Sequence, residues 1–219
     1  YEIPKRDWSS DVCSSDLRAV VVTSRRTVQA VEPLGVPAAR IAVVEPGTRP
    51  APAATGSGGP AVHLLCVASL VPRKGYDTLL DALERILGLE WHLTCVGSPD
   101  RDPAYAGAIV RRCERPPLAG RVTCAGELSG PALEAAYESA DLFVLPTCYE
   151  GYGMAVAEAI AWGIPVVSTA TGAIREIVGE GAGVLVPPGD AEALSGVLAG
   201  LCRDRARLTR LREIGRAHV

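Results

Sequence analysis

Aromatic side chains are scarce in this 219-residue chain, at 5%, with one phenylalanine, one methionine and three histidines. So few histidines, and seven cysteines without a CxxC pair, leave no zinc-ligand spacing, and no metal site is expected. Cys66, Cys95, Cys113, Cys124, Cys148 and Cys202 are scattered, several of them inside apolar runs. They read as buried free thiols in a reducing compartment, which makes a cytoplasmic protein the expectation. His63 and His92 fall in strand-like runs and are expected in the core. Charge of one sign is lacking too. A net charge of −3 supplies no electrostatic footprint for nucleic acid. No uninterrupted apolar run reaches the roughly 18 residues a membrane span requires, so a soluble chain is expected.

The two ends lack structural periodicity. Tyr1 to Leu17 has neither helical nor strand patterning, and no apolar region follows its basic pair as a signal peptide requires. Asp7 to Asp16 matches an in-frame translation of a sequencing-library adapter, and Ile214 to Val219 matches the opposite end of the same library sequence. Residues 1–17 and 214–219 are therefore read as adapter artefacts expected to pack against nothing. A natural disordered terminus is the alternative. Without them the net charge is −2, and the conclusion about nucleic acid stands.

What is present is an alternation of strands and helices. Ala19–Val22 and Ile41–Val44 are predicted strands, with a helix from a Ser24 cap to Leu34 ended by Gly35-Val36-Pro37. They have too little surface for a core of their own. Residues 49–60, rich in Pro, Ala, Gly and Ser, read as a linker. Six further strands are predicted at Val62–Ala68, Trp91–Val96, Arg121–Ala125, Leu142–Pro146, Pro165–Thr169 and Val184–Val186. Helices are predicted near Tyr76–Leu87, Pro103–Cys113, Pro131–Ser139, Gly153–Trp162 and Glu192–Arg203. This pattern is an α/β fold with a doubly wound parallel sheet. Its ligands bind beyond the carboxyl ends of the strands, which directs attention to the loops there.

Two of those loops carry more chemistry than a turn needs. Ser69 to Gly75 sets Arg73 and Lys74 side by side, either to meet a diphosphate or as a solvated cation pair. The loop Thr147 to Gly153 runs from an apolar strand through Glu150-Gly151-Tyr152-Gly153 into a helix whose one charged residue is Glu158. A carboxylate in so apolar a helix needs an internal partner or a ligand. The preceding glycines free backbone N–H groups at a helix start, where anions bind. Glu150 and Glu158, eight positions apart around such a start, suit a ligand with both hydroxyls and phosphates. The Thr171-Gly172-Ala173-Ile174 turn adds a ligand contact or is only a helix start.

The segments LLCVASLVPRKGYDTLLDAL, YESADLFVLPTCYEGYGMAVAEAIAWGIPVVSTATGAIREIV and GVLVPPGDAEAL resemble the C-terminal half of a GT-B glycosyltransferase of the retaining, metal-independent family-4 type. The resemblance covers most of residues 18–212. It implies a Rossmann-like donor domain at 61–213, with 18–48 as the tail of an N-terminal domain. A nucleoside-diphosphate sugar would be the donor substrate, with no cofactor and no metal. The acceptor would be a glycan, lipid or small molecule, and any membrane-surface contact would come through the N-terminal domain.

The resemblance also implies the roles of individual residues. Lys74 would neutralise the donor diphosphate, and Glu150 would hydrogen-bond sugar hydroxyls; these two are the expected catalytic residues. N–H groups of Gly151, Tyr152, Gly153 and Met154 would lie near the phosphates and sugar. Glu158 would take the ribose hydroxyls, and Leu128 and Gly97 would line the base pocket. Many members have an arginine where this chain has Ser69, so Arg73 substitutes for it or Lys74 carries more of the diphosphate. The acceptor site and a catalytic histidine would belong to the N-terminal half, so this chain alone is expected to bind donor without turnover. The alternatives are a GT-B nucleotide-sugar epimerase, which needs histidines and carboxylates facing the cleft, and a non-catalytic nucleotide-binding module.

Overall fold

Apolar runs and amphipathic stripes alternate as a six-stranded parallel sheet with helices between its strands in the computed structural model, which describes residues 18–179 and 181–216. The adapter readings of 1–17 and 217–219 lie outside the described residues. The chain divides into two compact units at Pro46/Gly47.

The first unit contains a parallel β-α-β arrangement. Strands β1 (Val20–Val22) and β2 (Ile41–Val43) pair in register, and α1 (Arg25–Val31) lies between them in sequence. The Ser24 side chain caps α1 through the Thr27 N–H, as the sequence predicts. The predicted continuation to Leu34 is instead a 3-10 turn. Pro33 lacks an N–H to donate there, and Gly35 ends the turn at φ 85°.

The second unit holds strands β3 (Val62–Val67), β4 (Trp91–Val96), β5 (Val122–Cys124), β6 (Leu142–Leu145), β7 (Val166–Thr169) and β8 (Gly183–Val186). Their order is β5-β4-β3-β6-β7-β8, every pair parallel. The chain therefore adds strands on one side of β3, then returns to start β6 on the other. That reversal makes the gap between the carboxyl ends of β3 and β6 the topological switch point, where such sheets bind ligands.

Helices α2 (Tyr76–Glu84), α3 (Pro103–Cys113), α4 (Gly130–Glu138), α5 (Met154–Ala161), α6 (Ile174–Val178), α7 (Ala191–Arg203) and α8 (Arg205–Arg216) complete this unit. In α2, Tyr76, Leu79, Leu80 and Leu83 are buried, while Asp81 and Glu84 face outward to Arg112 of α3 at 2.6 and 2.9 Å. The single phenylalanine, Phe143 of β6, is fully buried among the strand residues that flank the switch point.

Two expectations about the ends of this unit are corrected. Residues 49–60 do not behave throughout as a linker. Ala54 is buried in the core with its N–H on the Trp162 carbonyl, and the Gly56 N–H reaches the Glu138 carbonyl. Pro and Gly composition signals irregular backbone, and here that backbone is packed and hydrogen-bonded. At the other end, α8 runs on to Arg216, and Ile214 lies so close to Gly181 that a Cβ there would meet its Cγ2 at 2.6 Å. Ile214 therefore continues a helix and touches Gly181 while 40% exposed, so at this one residue the expectation that the end packs against nothing does not hold.

Candidate functional site

Three loops converge at the switch point. The loop after β3 turns through a 3-10 segment, Pro72–Lys74, into Gly75 at φ 74°, and there α2 begins. A side chain at Gly75 would place its Cβ 2.0 Å from the Pro146 carbonyl oxygen, so only glycine lets this loop lie against the end of β6. The loop after β6 is tied to it by backbone. The Cys148 N–H donates to the Arg73 carbonyl at 2.8 Å, and the buried Thr147 hydroxyl lies 3.0 Å from the same oxygen. From β7, the Thr169 hydroxyl donates to the Thr147 carbonyl and the Thr171 hydroxyl to the Cys148 carbonyl. Gly172, at φ 53°, closes the arrangement, since a Cβ there would stand 1.6 Å from the Glu150 carbonyl oxygen. The turn that the sequence leaves open as a mere helix start is thus a wall of the Glu150 loop.

This scaffold brings Lys74 and Glu150 into a direct ion pair, Nζ on Oε2. Their side chains are 12% and 14% exposed. A pair that far out of water is held by mutual compensation, and removing either partner strands a charge. Arg73, its neighbour, is exposed and donates from Nη1 to the Tyr149 carbonyl at 3.4 Å. The guanidinium therefore reaches the same loop as Lys74 but meets backbone rather than carboxylate.

Beyond the loop, Gly153 stands at φ 108° as the residue that starts α5, buried against Ile174. Gly151 and Tyr152 are half-buried, and Met154, in the first turn of α5, is exposed. Four residues on from Met154, Glu158 is half-buried. It accepts a hydrogen bond from the Tyr137 hydroxyl of α4 at 2.8 Å. Tyr137 is stacked on Trp162 and Phe143, with centroids 6.1 and 6.4 Å away. Burial, then the Glu158 charge, push its phenol pKa well above the ordinary tyrosine range, so Tyr137 is a donor at any physiological pH. Glu158 therefore has an internal partner, and that partner escaped the sequence reading. The available signal was a tyrosine in the segment leading to an apolar strand, a placement that suits a core aromatic equally well.

Ser69, Gly97 and Leu128 meet at a second place, a cavity of about 440 Å³ at the carboxyl ends of β3 and β4 and the loop after β5. Val67 and Val96 also line it, and Ser98, Asp100, Arg101 and Glu127 add to Ser69 as its polar residues. Gly97 is required here because its Cβ would overlap the Ala68 carbonyl oxygen at 1.9 Å. The loop from Ser69 to Lys74 joins this cavity to the ion pair, so the two form one continuous edge.

The histidines lie elsewhere. His63 and His92 sit at the amino ends of β3 and β4, half-buried, with Nε2 atoms 2.9 and 3.1 Å from the hydroxyls of Thr94 and Thr123. Neither is a fully buried core residue, since each is only half-buried at the amino edge of the sheet. Cys66, Cys95 and Cys113 are buried free thiols as expected, but Cys148, in the Glu150 loop, is exposed. Among the described residues no group of three or more His, Cys, Asp or Glu side chains is placed to hold a metal ion. No helix among them is long and apolar enough to cross a membrane.

The profile of the family described as glycosyl transferases group 1 matches residues 61–204. The chain belongs to that family. It is 30% identical over 149 residues to the lipopolysaccharide core biosynthesis mannosyltransferase LpsB of Rhizobium meliloti (strain 1021), covering 65% of this chain and 42% of that protein. It is 30% identical over 212 residues to the D-inositol 3-phosphate glycosyltransferase of Thermobispora bispora, covering 89% of this chain and 50% of that one. The chain thus spans half or less of these curated relatives. Among solved structures, sucrose-phosphate synthase from Thermosynechococcus elongatus matches with a TM-score of 0.80 at 27% identity, over 92% of this chain and 54% of that one. Anabaena Alr3699/HepE, solved with UDP and glucose, matches with a TM-score of 0.81 over 91% of this chain and 57% of that one. At 20% identity the second likeness is one of fold alone, an α/β fold whose parallel sheet resembles a Rossmann-like GT-B domain.

Proposed function

We propose that residues 61–213 form the donor-binding domain of a retaining, metal-independent glycosyltransferase that moves a hexose from a nucleoside diphosphate to a glycan, lipid or small-molecule acceptor. The observation that carries this reading is the Lys74–Glu150 ion pair at the switch point, mostly shielded from water and walled by loops from three strands. In the free protein the two charges compensate each other. A bound donor would place its diphosphate against Lys74 and its sugar hydroxyls against Glu150, so each partner would exchange the other for a ligand group. Charge that develops on the departing diphosphate would meet Lys74 and the N–H groups of Gly151 to Met154 at the start of α5. Arg73, reaching the Tyr149 carbonyl, is near enough in sequence and space to supply the second cation that Ser69 does not. Glu158 would present its remaining oxygen to the ribose, with Tyr137 holding the carboxylate in place. Residues 18–48 fit the tail of an acceptor-side domain, and a cytoplasmic location suits the free thiols. One relative is a mannosyltransferase, and one structural neighbour was solved with UDP and glucose, which favours a hexose donor. An epimerase would need a histidine facing the cleft, and both described histidines stand at the opposite edge of the sheet.

The test is calorimetric titration of the chain with UDP, GDP and ADP, alongside thermal melts with each. At least one diphosphate should bind and raise the melting temperature. Failure of all three to bind or to stabilise the protein removes the donor-site reading.

A further inference from the structure

The cavity at the ends of β3 and β4 has a polar pattern that discriminates among bases. From it we infer that the donor nucleoside is a guanosine, read by Glu127 with Arg101 beside it. The inference rests on the donor-site reading above. Its size comes first: about 440 Å³ accommodates a purine nucleoside, within the usual range for small-molecule sites. Leu128 and the side-chain-free Gly97 are among the residues that line this slot, with Val67 and Val96.

The polar atoms around that slot are not equivalent. Asp100 accepts from the Ser98 hydroxyl at 3.1 Å through one oxygen, which ties its side chain back to its own loop. Glu127 and Arg101 have no hydrogen-bond or ion-pair partner among the described residues, and both line the cavity. A free carboxylate and a free guanidinium at one slot offer two adjacent acceptors and a fork of donors. Guanine presents the complement. Its N1–H and N2–H2 groups are adjacent donors that match the two oxygens of a carboxylate, and its O6 and N7 match a guanidinium. Uracil has one donor, N3–H, flanked by two carbonyl oxygens, so a carboxylate oxygen would face a lone pair. Adenine sets its N6–H2 donor beside the N1 acceptor, with the same mismatch. The carboxylate therefore favours guanine and works against the other two bases.

Glu127 is exposed, so water can relieve part of a mismatch, and discrimination should be on the order of tenfold rather than the far larger factors of a fully buried reader. The experiment is titration calorimetry of the full chain with GDP, IDP, UDP and ADP, repeated for Glu127→Ala and Arg101→Ala. GDP should bind about tenfold tighter than UDP or ADP. IDP, which lacks the 2-amino group, should fall several-fold below GDP. Glu127→Ala should erase the GDP–IDP difference while leaving the UDP affinity within about twofold, and Arg101→Ala should weaken GDP and IDP alike. Thermal melts of the ligand-free variants should coincide with the parent, since both side chains are exposed and unpartnered. UDP or ADP binding as tightly as GDP, or Glu127→Ala weakening all four ligands equally, overturns the guanine assignment and leaves the donor reading intact. Absence of binding by any diphosphate overturns both.

Discussion

The two ends of the sheet both place a carboxylate at the tip of β6, and they treat it in opposite ways. At the amino end, Asp141 is 5% exposed and saturated. It accepts from the Ser57 N–H at 3.2 Å, the Ser57 hydroxyl at 2.5 Å and the His63 N–H at 2.9 Å. Arg205 and Arg212 of α8 stand at 3.5 and 3.7 Å. The same arginines donate to the carbonyls of Gly59, Pro60 and Ala140, so Asp141 clasps the 54–60 segment, the sheet and the last helix together. At the carboxyl end, Glu150 has one cation and Glu158 one hydroxyl. A carboxylate with every lone pair answered stabilises a fold, while one with a single exchangeable partner retains capacity for a ligand.

That contrast can be broken at each end, and the largest effect belongs to the amino end. Asp141→Ala takes the carboxylate from two arginines and leaves three donors without their acceptor, and should lower stability by about 3–5 kcal/mol, read from denaturant melts. Burial by itself would raise the Asp141 pKa, but hydrogen bonds from His63 and Ser57 and the Arg205 charge hold it below its ordinary 3.8. Because the folded-state pKa is the lower one, the contribution is complete above the unfolded value and fades as pH falls through the folded one. The acid limb of the stability curve should therefore flatten below pH 3.8 in Asp141→Asn.

Gly172→Ala forces a Cβ into the Glu150 carbonyl and a side chain to φ 53°. The backbone conformation alone costs about 1–3 kcal/mol. The turn must then move, so nucleotide binding should be lost by calorimetry while far-UV circular dichroism stays native. A variant that binds normally would show that this wall is not needed.

Lys74→Ala should weaken diphosphate binding by about 1.5–3 kcal/mol, the worth of hydrogen bonds to a charged group. A double-mutant cycle with Glu150→Gln should show coupling in the ligand-free melts, because each single change strands the other charge. Additive effects would mean that the pair does not compensate as described.

The smallest effect sharpens the comparison within the carboxyl end. Tyr137→Phe removes one hydrogen bond from Glu158 and should cost about 1 kcal/mol of stability. Glu158→Gln keeps an acceptor for Tyr137, so its melting temperature should change less than that of Tyr137→Phe while nucleoside affinity falls. A larger melting loss for Glu158→Gln would make Glu158 a structural partner of Tyr137 alone.

The strands and most helices were legible because each has one period over enough residues. β4 and α3 occur at their predicted bounds, and β3, β6 and β7 differ from theirs by one residue. Helix α8 escaped because its alternating arginines and leucines are mostly polar and its last residues were set aside with the terminus. Lys74, Glu150 and Glu158 stood out as charges at loop ends or in an apolar helix. Tyr137, Thr147 and Asp141 did not, since nothing local separates a buried hydroxyl or carboxylate with a distant partner from an exposed one.

By itself the sequence determined the class of fold, the edge of the sheet to search for a site, and the identity of its charged residues. These follow from periodicity and from the rule that parallel sheets bind at their carboxyl ends. Which charges meet was decided by tertiary structure alone. Lys74 and Glu150 are 76 positions apart, and Ser57 and Asp141 are 84 apart. Only the crossover that starts β6 beside β3 brings either pair within reach.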